Sequence, residues 1–476
     1  MDNVNEENNN VTENEEIEES KLSDVENEKD DSIVVGMISL GCDKNRVDSE
    51  IMLTYLRDNG FVFSGNPEDA DVLIVNTCGF IKSARDESFE TIKEICYYKQ
   101  DPNCRCKKVV VTGCLPQKWS KDITDKFPDV DIVLGIDQYP SIAEIIRHSL
   151  ESDEKLVHTG CADTLPYAKN RIVTTPLHYA YLKIADGCDN FCTFCTIPYI
   201  RGRYRSRDES QIIEEANSLV NAGATELILV AQDISRYGFD KTGKSEIVGL
   251  IRKLSEIEKL KWIRLLYCYP EMITDELFDE MMKNKKLCNY LDIPLQHISD
   301  NVLKKMNRKS DSEFVEKLIE KVKNMPEFIA LRTTIMTGFP GENEEDFDKL
   351  TDFLKRAKFM HVGFFAYSRE DGTAASSLPD QVDEKTKIKR LNALMKLQKK
   401  IAKDVNSSFI GKTIEVCLEG FDEESGLFFG RSQYQTPDAD SIVLFSSKKS
   451  LEQGKYYNVK IKSIAGFDLK GEVVYE

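Results

Sequence analysis

The stretch DGCDNFCTFCTIPYIRGRYRSR, residues 186–207, carries three cysteines in the spacing Cys-x-x-x-Cys-x-x-Cys. These residues, Cys188, Cys192 and Cys195, are too close in sequence to be a chance scatter, and they are one ligand short of a closed metal site. A structural zinc ion takes four protein ligands, and an iron–sulfur cluster normally takes four thiolates. The sequence therefore predicts a metal centre that either recruits a distant fourth ligand or keeps one coordination position open.

The triplet directly follows the first of six strand-like runs, which alternate with charged amphipathic segments. The runs occupy 179–187, 225–232, 261–268, 290–296, 328–338 and 361–368. Repeated βα units of this size predict a parallel barrel or partial barrel over residues 176–407, with its reactive groups on the loops at the carboxyl ends of the strands. The triplet then lies in one of those loops.

Three shorter apolar runs upstream each end in a cysteine. IVVGMISLGC ends at Cys42, DVLIVNTC at Cys78 and KKVVVTGC at Cys114, with helical segments between them. This alternation predicts a doubly wound parallel sheet over residues 33–150. Ligands of such sheets bind at the carboxyl ends of the strands. We therefore expect the three thiols to converge on a second cofactor site, although a single buried cysteine would often be only a small apolar residue.

The two ends of the chain differ from its body. Residues 1–32 contain 13 acidic residues and 2 lysines, which predicts a disordered acidic tail. Residues 151–175 are expected to be a linker. Residues 410–476 show five short strand-like runs after a helical segment, which predicts a small closed or nearly closed β-barrel. That barrel has 11 acidic and 8 basic residues, a balance that favours a basic protein partner over a nucleic acid.

Length, charge, cysteine content and the absence of long apolar runs indicate what class of protein this is. The chain has 476 residues, 13 cysteines and a net charge of −18. No apolar run is long enough to span a bilayer, and no signal peptide is evident. Cysteines in such a chain are typical of metal or redox ligands rather than disulfides. We expect a cytoplasmic protein without a membrane partner.

The order of a three-cysteine sheet, a barrel with an open triplet and a small β-barrel resembles the radical S-adenosylmethionine methylthiotransferases. The resemblance covers residues 33–476, and the last unit resembles the TRAM domain. SLGCDKNRVDSE, residues 39–50, is similar to the signature Ser-Leu-Gly-Cys-Pro-Lys-Asn-x-Val-Asp-Ser-Glu of the branch that modifies an aspartate of ribosomal protein S12. Asp43 stands where that signature has proline.

Two further segments match the same branch. YLDIPLQHISDNVLKKMNR contains Asp292 and His297, and LPDQV occupies 378–382. The resemblance implies ribosomal protein S12, free or within the small subunit, as the substrate, and an electron donor such as a flavodoxin or ferredoxin. It also implies a monomer.

The resemblance further implies two [4Fe–4S] clusters, each with one open iron. The upstream cysteines would hold the cluster that supplies sulfur, and the 188–195 triplet would hold the cluster at which S-adenosylmethionine is cleaved to a radical. That radical takes a hydrogen from the β-carbon of the aspartate, so no side chain is expected to act as an acid or base.

Several residues are candidates for contact with S-adenosylmethionine. Phe194 matches the aromatic residue that family members place near the cofactor. The ends of two strand-like runs add five more candidates: Gln232, Asp233, Gly338, Gly341 and Glu342. Arg201 and Arg207 are candidates for bidentate binding of a carboxylate.

The sequence leaves three alternatives. A transfer-RNA adenosine methylthiotransferase would have the same clusters and a different docking surface. A non-catalytic electron carrier would normally close its clusters with four thiolates. A zinc-stabilised scaffold would use the same cysteines without redox chemistry.

Overall fold

The computed structural model describes residues 32–160 and 165–475. The predicted acidic tail, except for its last residue, lies outside the described residues, as does Cys161. The described chain forms an N-terminal domain, a central barrel and a C-terminal barrel in that order. None of its helices is long and apolar enough to cross a membrane.

The N-terminal domain is a six-stranded parallel sheet in the order β2-β1-β3-β4-β5-β6. Its strands are β1 Val34–Ser39, β2 Val62–Phe63, β3 Val72–Thr77, β4 Lys108–Gly113, β5 Ile132–Leu134 and β6 Leu156–His158. Its helices are α1 Asp43–Asp58, α2 Lys82–Gln100, α3 Pro116–Lys126 and α4 Ile142–Glu151.

The sheet of this domain is covered on both faces. Strands β3 and β4 are buried along their whole length, and separate apolar clusters pack on the two sides of the sheet. Strands covered on both faces are apolar throughout, which is why these runs stood out in the sequence. The predicted doubly wound sheet is confirmed. Strand β6 lies within the stretch 151–175 that was expected to be a linker, so the sheet extends further along the chain than expected.

The central barrel consists of two three-stranded parallel sheets, ordered β11-β10-β7 and β12-β13-β14. Its long strands are β7 Tyr179–Lys183, β10 Glu226–Val230, β11 Trp262–Leu265, β12 Tyr290–Gln296, β13 Ala330–Thr337 and β14 His361–Ala366, and the short hairpin strands are β8 Ala185–Asp186 and β9 Arg205–Ser206. Its helices are α5 Ile197–Arg201, α6 Glu209–Asn221, α7 Phe239–Thr242, α8 Ile247–Ser255, α9 Asp275–Lys283, α10 Asp300–Lys305, α11 Ser312–Lys323 and α12 Glu344–Ala357.

The two sheets of the central barrel meet between β11 and β12, where the backbone N–H of Cys268 donates to the carbonyl of Asp292 at 2.8 Å. Strands β7 and β14 are then the outer strands of the described barrel, which is open between them. The six predicted strand runs correspond to six strands, so the predicted partial barrel is confirmed.

The C-terminal barrel is closed, with strand order β15-β16-β17-β19-β18. Helix α13 Glu384–Ser407 leads into it, and its strands are β15 Thr413–Asp422, β16 Leu427–Ser432, β17 Val443–Ser446, β18 Tyr456–Ala465 and β19 Asp468–Val473. All five predicted strands are present, which confirms the predicted small β-barrel.

A buried ion-pair network attaches the C-terminal barrel to the central barrel. The carboxylate of Glu226, at the start of β10, accepts from Arg264 Nε at 2.6 Å and from Arg431 Nη2 at 2.9 Å. Arg264 also donates to the carbonyl of Gln433 at 2.7 Å. The three charged side chains are at most 1% exposed. The attachment therefore depends on charges that have no access to solvent.

We expect Arg431→Met to loosen the C-terminal barrel, because it leaves Glu226 buried with only one cationic partner. Breaking such a buried pair costs about 3–5 kcal/mol. Proteolysis between α13 and β15, limited by opening of the junction, should accelerate at least about a hundredfold.

The matched control is Lys261→Met, which removes a pair between the same two barrels. Lys261 and Glu415 are each 41% exposed, so their pair is worth about 1 kcal/mol or less. Equal acceleration in the two variants would contradict the role given to the buried network.

Candidate metal centres and the cavity between the domains

The three upstream cysteines lie at the carboxyl edge of the N-terminal sheet. Cys42 precedes α1, Cys78 follows β3 and Cys114 follows β4. Gly41 has φ +91°, a backbone conformation that favours glycine, and a Cβ atom there would stand only 3.0 Å from the Cβ of Cys78. Only a residue without a side chain allows this loop to approach Cys78 so closely. The structure therefore brings the loops of the predicted first triplet together.

The thiols of this first triplet differ in their surroundings. Cys114 is buried, and Arg201 donates from Nη2 to its sulfur at 3.4 Å. Burial raises the pKa of the Cys114 thiol to about 12, Arg201 opposes the shift, and the nearby Cys78 and Cys42 thiols add to it. Cys42 is exposed. Cys78 is partly buried, so the exposure of the three cysteines increases from Cys114 through Cys78 to Cys42.

The second triplet lies in the loop after β8. Cys188 and Cys192 are buried and Cys195 is partly buried. Each sulfur accepts at least one hydrogen bond: Cys188 from the N–H of Asn190 at 3.5 Å, Cys192 from Arg308 Nη1 at 3.7 Å, and Cys195 from the N–H of Ile197 at 3.4 Å. Donors aimed at sulfur stabilise thiolates and tune iron–sulfur clusters. The donor set of this loop therefore fits a cluster.

Among the residues that the structure describes, no three His, Cys, Asp or Glu side chains are close enough to coordinate a single metal ion. In an iron–sulfur cluster each thiolate binds a different iron atom, so those ligands stand further apart. The assignment of the six cysteines as cluster ligands stays a prediction, which the convergence of the loops and the donors to sulfur support.

Arg201 in α5 links the two triplets. It is buried and donates to Asp186 Oδ2 at 2.8 Å, Asp48 Oδ2 at 2.8 Å and Asn45 Oδ1 at 2.7 Å. Lys183 also pairs with both carboxylates. Burial opposes ionisation of Asp186, but Arg201 and Lys183 hold the pKa of that carboxyl below its usual range. The carboxylates that Arg201 was expected to bind are therefore the protein's own, one on each side of the domain boundary.

Two predicted cofactor residues lie beside the second triplet. The amide of Gln232 donates to Asp186 Oδ1 at 2.9 Å, and its buried Oε1 has no hydrogen-bond partner among the described residues. The ring of Phe194 meets that of Phe339 edge-on, with centroids 6.3 Å apart. A buried acceptor without a partner requires a donor. S-adenosylmethionine carries amine and hydroxyl donors, so this position fits the cofactor.

Asp233 ties the cysteine loop to the end of β10. Its buried carboxylate accepts from Asn190 Nδ2 at 3.3 Å and from the hydroxyl of Ser235. Burial raises the pKa of Asp233 to about 6, although both hydrogen bonds oppose the shift. By binding the side chain of Asn190, Asp233 orients the backbone between Cys188 and Cys192.

Glu342 faces its own loop rather than the cysteines. Its carboxylate accepts from the N–H of Gly338 at 2.6 Å and from Arg390 at 2.9 Å. Gly338 and Gly341 both have positive φ, +74° and +78°. A Cβ at Gly338 would fall 2.3 Å from Lys387 Cγ, so the turn packs closely on α13. The structure gives Glu342 the role of holding this turn.

The two remaining site predictions from the sequence have internal partners. Arg207 pairs with Glu215 at 2.7 Å. His297 is buried, with Nδ1 accepting from the N–H of Ser299 at 3.0 Å and Nε2 lying 3.8 Å from the carboxylate of Glu342. Burial lowers the pKa of His297 to about 4. Neither side chain is directed at a cysteine.

The structure adds a cavity of about 330 Å³ that sequence reasoning missed. It lies between the three domains, and its lining includes Cys42, Arg46, Tyr181, Arg332 and the loop 436–439. Arg46 is half-buried and has no ion-pair partner among the described residues. The exposed thiol of the first triplet therefore shares a cavity with two arginines and two aspartates, Asp43 and Asp438.

Three family models match the chain. The uncharacterized protein family UPF0004 matches residues 34–135, the radical SAM superfamily 182–354 and the TRAM domain 410–474. The chain is 44% identical to the ribosomal protein uS12 methylthiotransferase RimO of Clostridium tetani over 444 residues, 93% of this chain and 99% of that protein. It is 45% identical to the protein of the same name from Clostridium kluyveri over 447 residues, 94% and 99% of the two chains.

A solved structure shares the fold. The radical S-adenosylmethionine methyltransferase TsrM of Kitasatospora setae, determined with cobalamin and a [4Fe–4S] cluster, superposes with a TM-score of 0.53 at 15% identity. The match covers 72% of this chain and 74% of that one. At this identity the likeness concerns the arrangement of the strands and helices.

We expect Arg201→Met to release the loop of the second triplet from the N-terminal domain. The change leaves Asp48 and Asp186 sharing Lys183 in a buried site, which costs about 3–5 kcal/mol. The free energy of opening at the amides of residues 187–195, measured by hydrogen exchange, should fall by that amount.

The control for this loop is Arg203→Met, two residues along the chain. Arg203 is 71% exposed and pairs with Asp189, so its loss should cost about 1 kcal/mol or less. Unchanged protection in the Arg201 variant would show that the loop is held by other contacts.

Proposed function

The chain belongs to the family of ribosomal protein uS12 methylthiotransferases, and we propose that it adds a methylthio group to the β-carbon of an aspartate in uS12. It is a radical SAM enzyme with a TRAM domain. The proposal rests on one observation: the buried side chain of Arg201 joins the loops of the two cysteine triplets across a domain boundary, and Cys42 of the first triplet lines a cavity between the three domains. Modification of transfer RNA is not favoured, because the relatives that match over the whole chain are named for the ribosomal protein.

We propose that Cys42, Cys78 and Cys114 hold one [4Fe–4S] cluster and that the 188–195 triplet holds a second. When bound, the second cluster and S-adenosylmethionine supply the radical that removes hydrogen from carbon, and the first supplies the sulfur. The hydrogen-bond donors at Cys114 and at each sulfur of the second triplet support this assignment.

The chain's own residues position the reactants. Arg201 and Lys183, through Asp48 and Asp186, set the distance between the two triplets. Gln232 offers an acceptor for the cofactor from its buried Oε1. Fixing reacting groups in this way lowers the entropic part of the barrier. No side-chain acid or base is needed for the hydrogen abstraction itself.

We propose that the cavity beside Cys42 receives the target aspartate. Two arginines, Arg46 and Arg332, line it and would attract a carboxylate, while of its two aspartates, Asp43 and Asp438, Asp43 is already paired with Lys44. Arg332 already pairs with Asp292 at 3.0 Å, whereas Arg46 has no such partner among the described residues. The incoming carboxylate would therefore be bound chiefly by Arg46.

The charge of the C-terminal barrel indicates what kind of protein would dock on it. The C-terminal barrel is acidic, with 11 acidic and 8 basic residues, and complementary charge speeds the docking of a basic ribosomal protein.

A flavodoxin or ferredoxin would serve as the electron donor, and the chain would act as a monomer. A non-catalytic electron carrier would have no use for the cavity that the three domains enclose.

Anaerobic reconstitution with iron counting and electron paramagnetic resonance tests the two-cluster proposal. The wild type should hold about eight irons, and replacing either triplet by alanine should leave about four with the other cluster intact. Alanine at Cys96, Cys268 and Cys288, three cysteines outside the triplets, should leave all eight. About four irons in the wild type would refute the sulfur-donor site.

Methylthio transfer to uS12 and to transfer RNA should then be assayed side by side. We expect a mass increase on uS12 only, and its loss in both triplet variants. Modification of transfer RNA instead would assign the chain to the other branch.

A further inference from the structure

Helix α13 carries a strong positive charge on an acidic protein. Its 24 residues include eight basic and two acidic ones, whereas the whole chain has a net charge of −18. One face of the helix packs on the body of the protein through Leu394, Gln398 and Ile401, which are at most 6% exposed. The opposite face carries six exposed lysines, the lysine stripe: Lys385, Lys389, Lys396, Lys399, Lys400 and Lys403.

The lysine stripe is straight. Five of its members follow one another at intervals of four, seven, three and four residues, so they lie along one side of the helix, with Lys400 beside them. From Lys385 to Lys403 the stripe is about 27 Å long. The six lysines therefore form an extended row of positive charges along one side of the helix.

The stripe is electrostatically unpaired in the described structure. The ion pairs of α13 involve Lys387 and Arg390, which lie on its buried face. None of the six stripe lysines is within ion-pair distance of a described carboxylate. Like charges three or four residues apart on a helix repel one another. A polyanion lying along the helix would relieve that repulsion.

The stripe borders a groove that adjoins the cavity at Cys42. Lys396 and Lys399 line a groove of about 640 Å³ between α13, β14 and the C-terminal barrel. Arg332 lies at the end of this groove and also lines the cavity beside Cys42. A partner seated on the stripe would thus lie beside a groove that shares Arg332 and Ala439 with the cavity at Cys42.

We propose that the lysine stripe binds ribosomal RNA phosphates, so that the enzyme acts on uS12 within an RNA-containing small-subunit particle. This inference rests on the proposed function. A free ribosomal protein is basic and would be repelled by the stripe, whereas RNA presents a continuous row of phosphates to it. The acidic C-terminal barrel and the basic stripe together suit a partner that exposes both basic protein and RNA.

Binding and transfer by the full-length, reconstituted enzyme test the proposal. The variant changes all six stripe lysines to glutamine. Its affinity for bacterial small ribosomal subunits should fall at least about tenfold, and the slope of log affinity against log salt should become shallower by about 4–5, since each of the six phosphate contacts contributes roughly 0.7–0.9. Methylthio transfer to isolated uS12 should be at least as fast as in the wild type, because no stripe lysine lines the cavity beside Cys42 and the variant no longer repels a basic protein.

A matched control carries the same loss of charge elsewhere. It changes six exposed lysines on or beside other helices to glutamine: Lys93, Lys121, Lys259, Lys283, Lys317 and Lys349. This control should keep the affinity and the salt slope of the wild type. An equal loss in both variants would mean that overall charge, and not the stripe, determines binding, and would overturn the proposal.

Three other results would also overturn it. The stripe variant could bind subunits as tightly as the wild type. It could keep subunit affinity and lose reduction by flavodoxin, which would make the stripe a dock for an acidic redox protein. Deletion of residues 1–32 could abolish the difference between stripe variant and wild type, which would identify the acidic tail as the occupant. Failure of the wild type to modify uS12 in any form would instead refute the proposed function, whatever the subunit affinity.

Discussion

The arrangement of the site depends on one buried guanidinium. Arg201 contacts Asp48 in the N-terminal domain, Asp186 in the central barrel and the sulfur of Cys114. A charge in such a place is costly unless every partner is present, so the two domains must dock with the cysteine loops in one relation to each other. The same network that joins the domains therefore sets the geometry between the two predicted clusters.

Much of the fold was predictable because its signals are local. The strands that precede Cys78 and Cys114 are apolar runs buried on both faces, and such runs stand out in the sequence. The three cysteines of the second triplet lie within eight residues, so their spacing can be recognised in the sequence alone. The closed C-terminal barrel was equally visible from five short runs. Strand β6 was missed because it has three residues, two of them exposed.

The parts that sequence reasoning missed depend on contacts between distant segments. The sequence indicated that Arg201 would meet a carboxylate, but only the docked domains show that Asp48 and Asp186 are its partners. The cavity at Cys42 needs residues from α1, the central barrel and the loop 436–439 at once. Glu342 was expected near the cofactor, yet its own turn uses its carboxylate. Proximity in space across hundreds of residues leaves no periodic signal along the chain.

The net charge of a chain is a poor guide to its partners, because it does not show how the charges are distributed over the surface. A net charge of −18 argues against a nucleic-acid partner if the charge is taken as uniform. At physiological ionic strength, however, exposed charges interact over about 8 Å, so a partner senses the local surface and not the sum. The lysine stripe extends over about 27 Å, more than three screening lengths. The acidic residues elsewhere can therefore attract a basic protein while α13 attracts an anion, and one molecule can present both surfaces to a ribonucleoprotein.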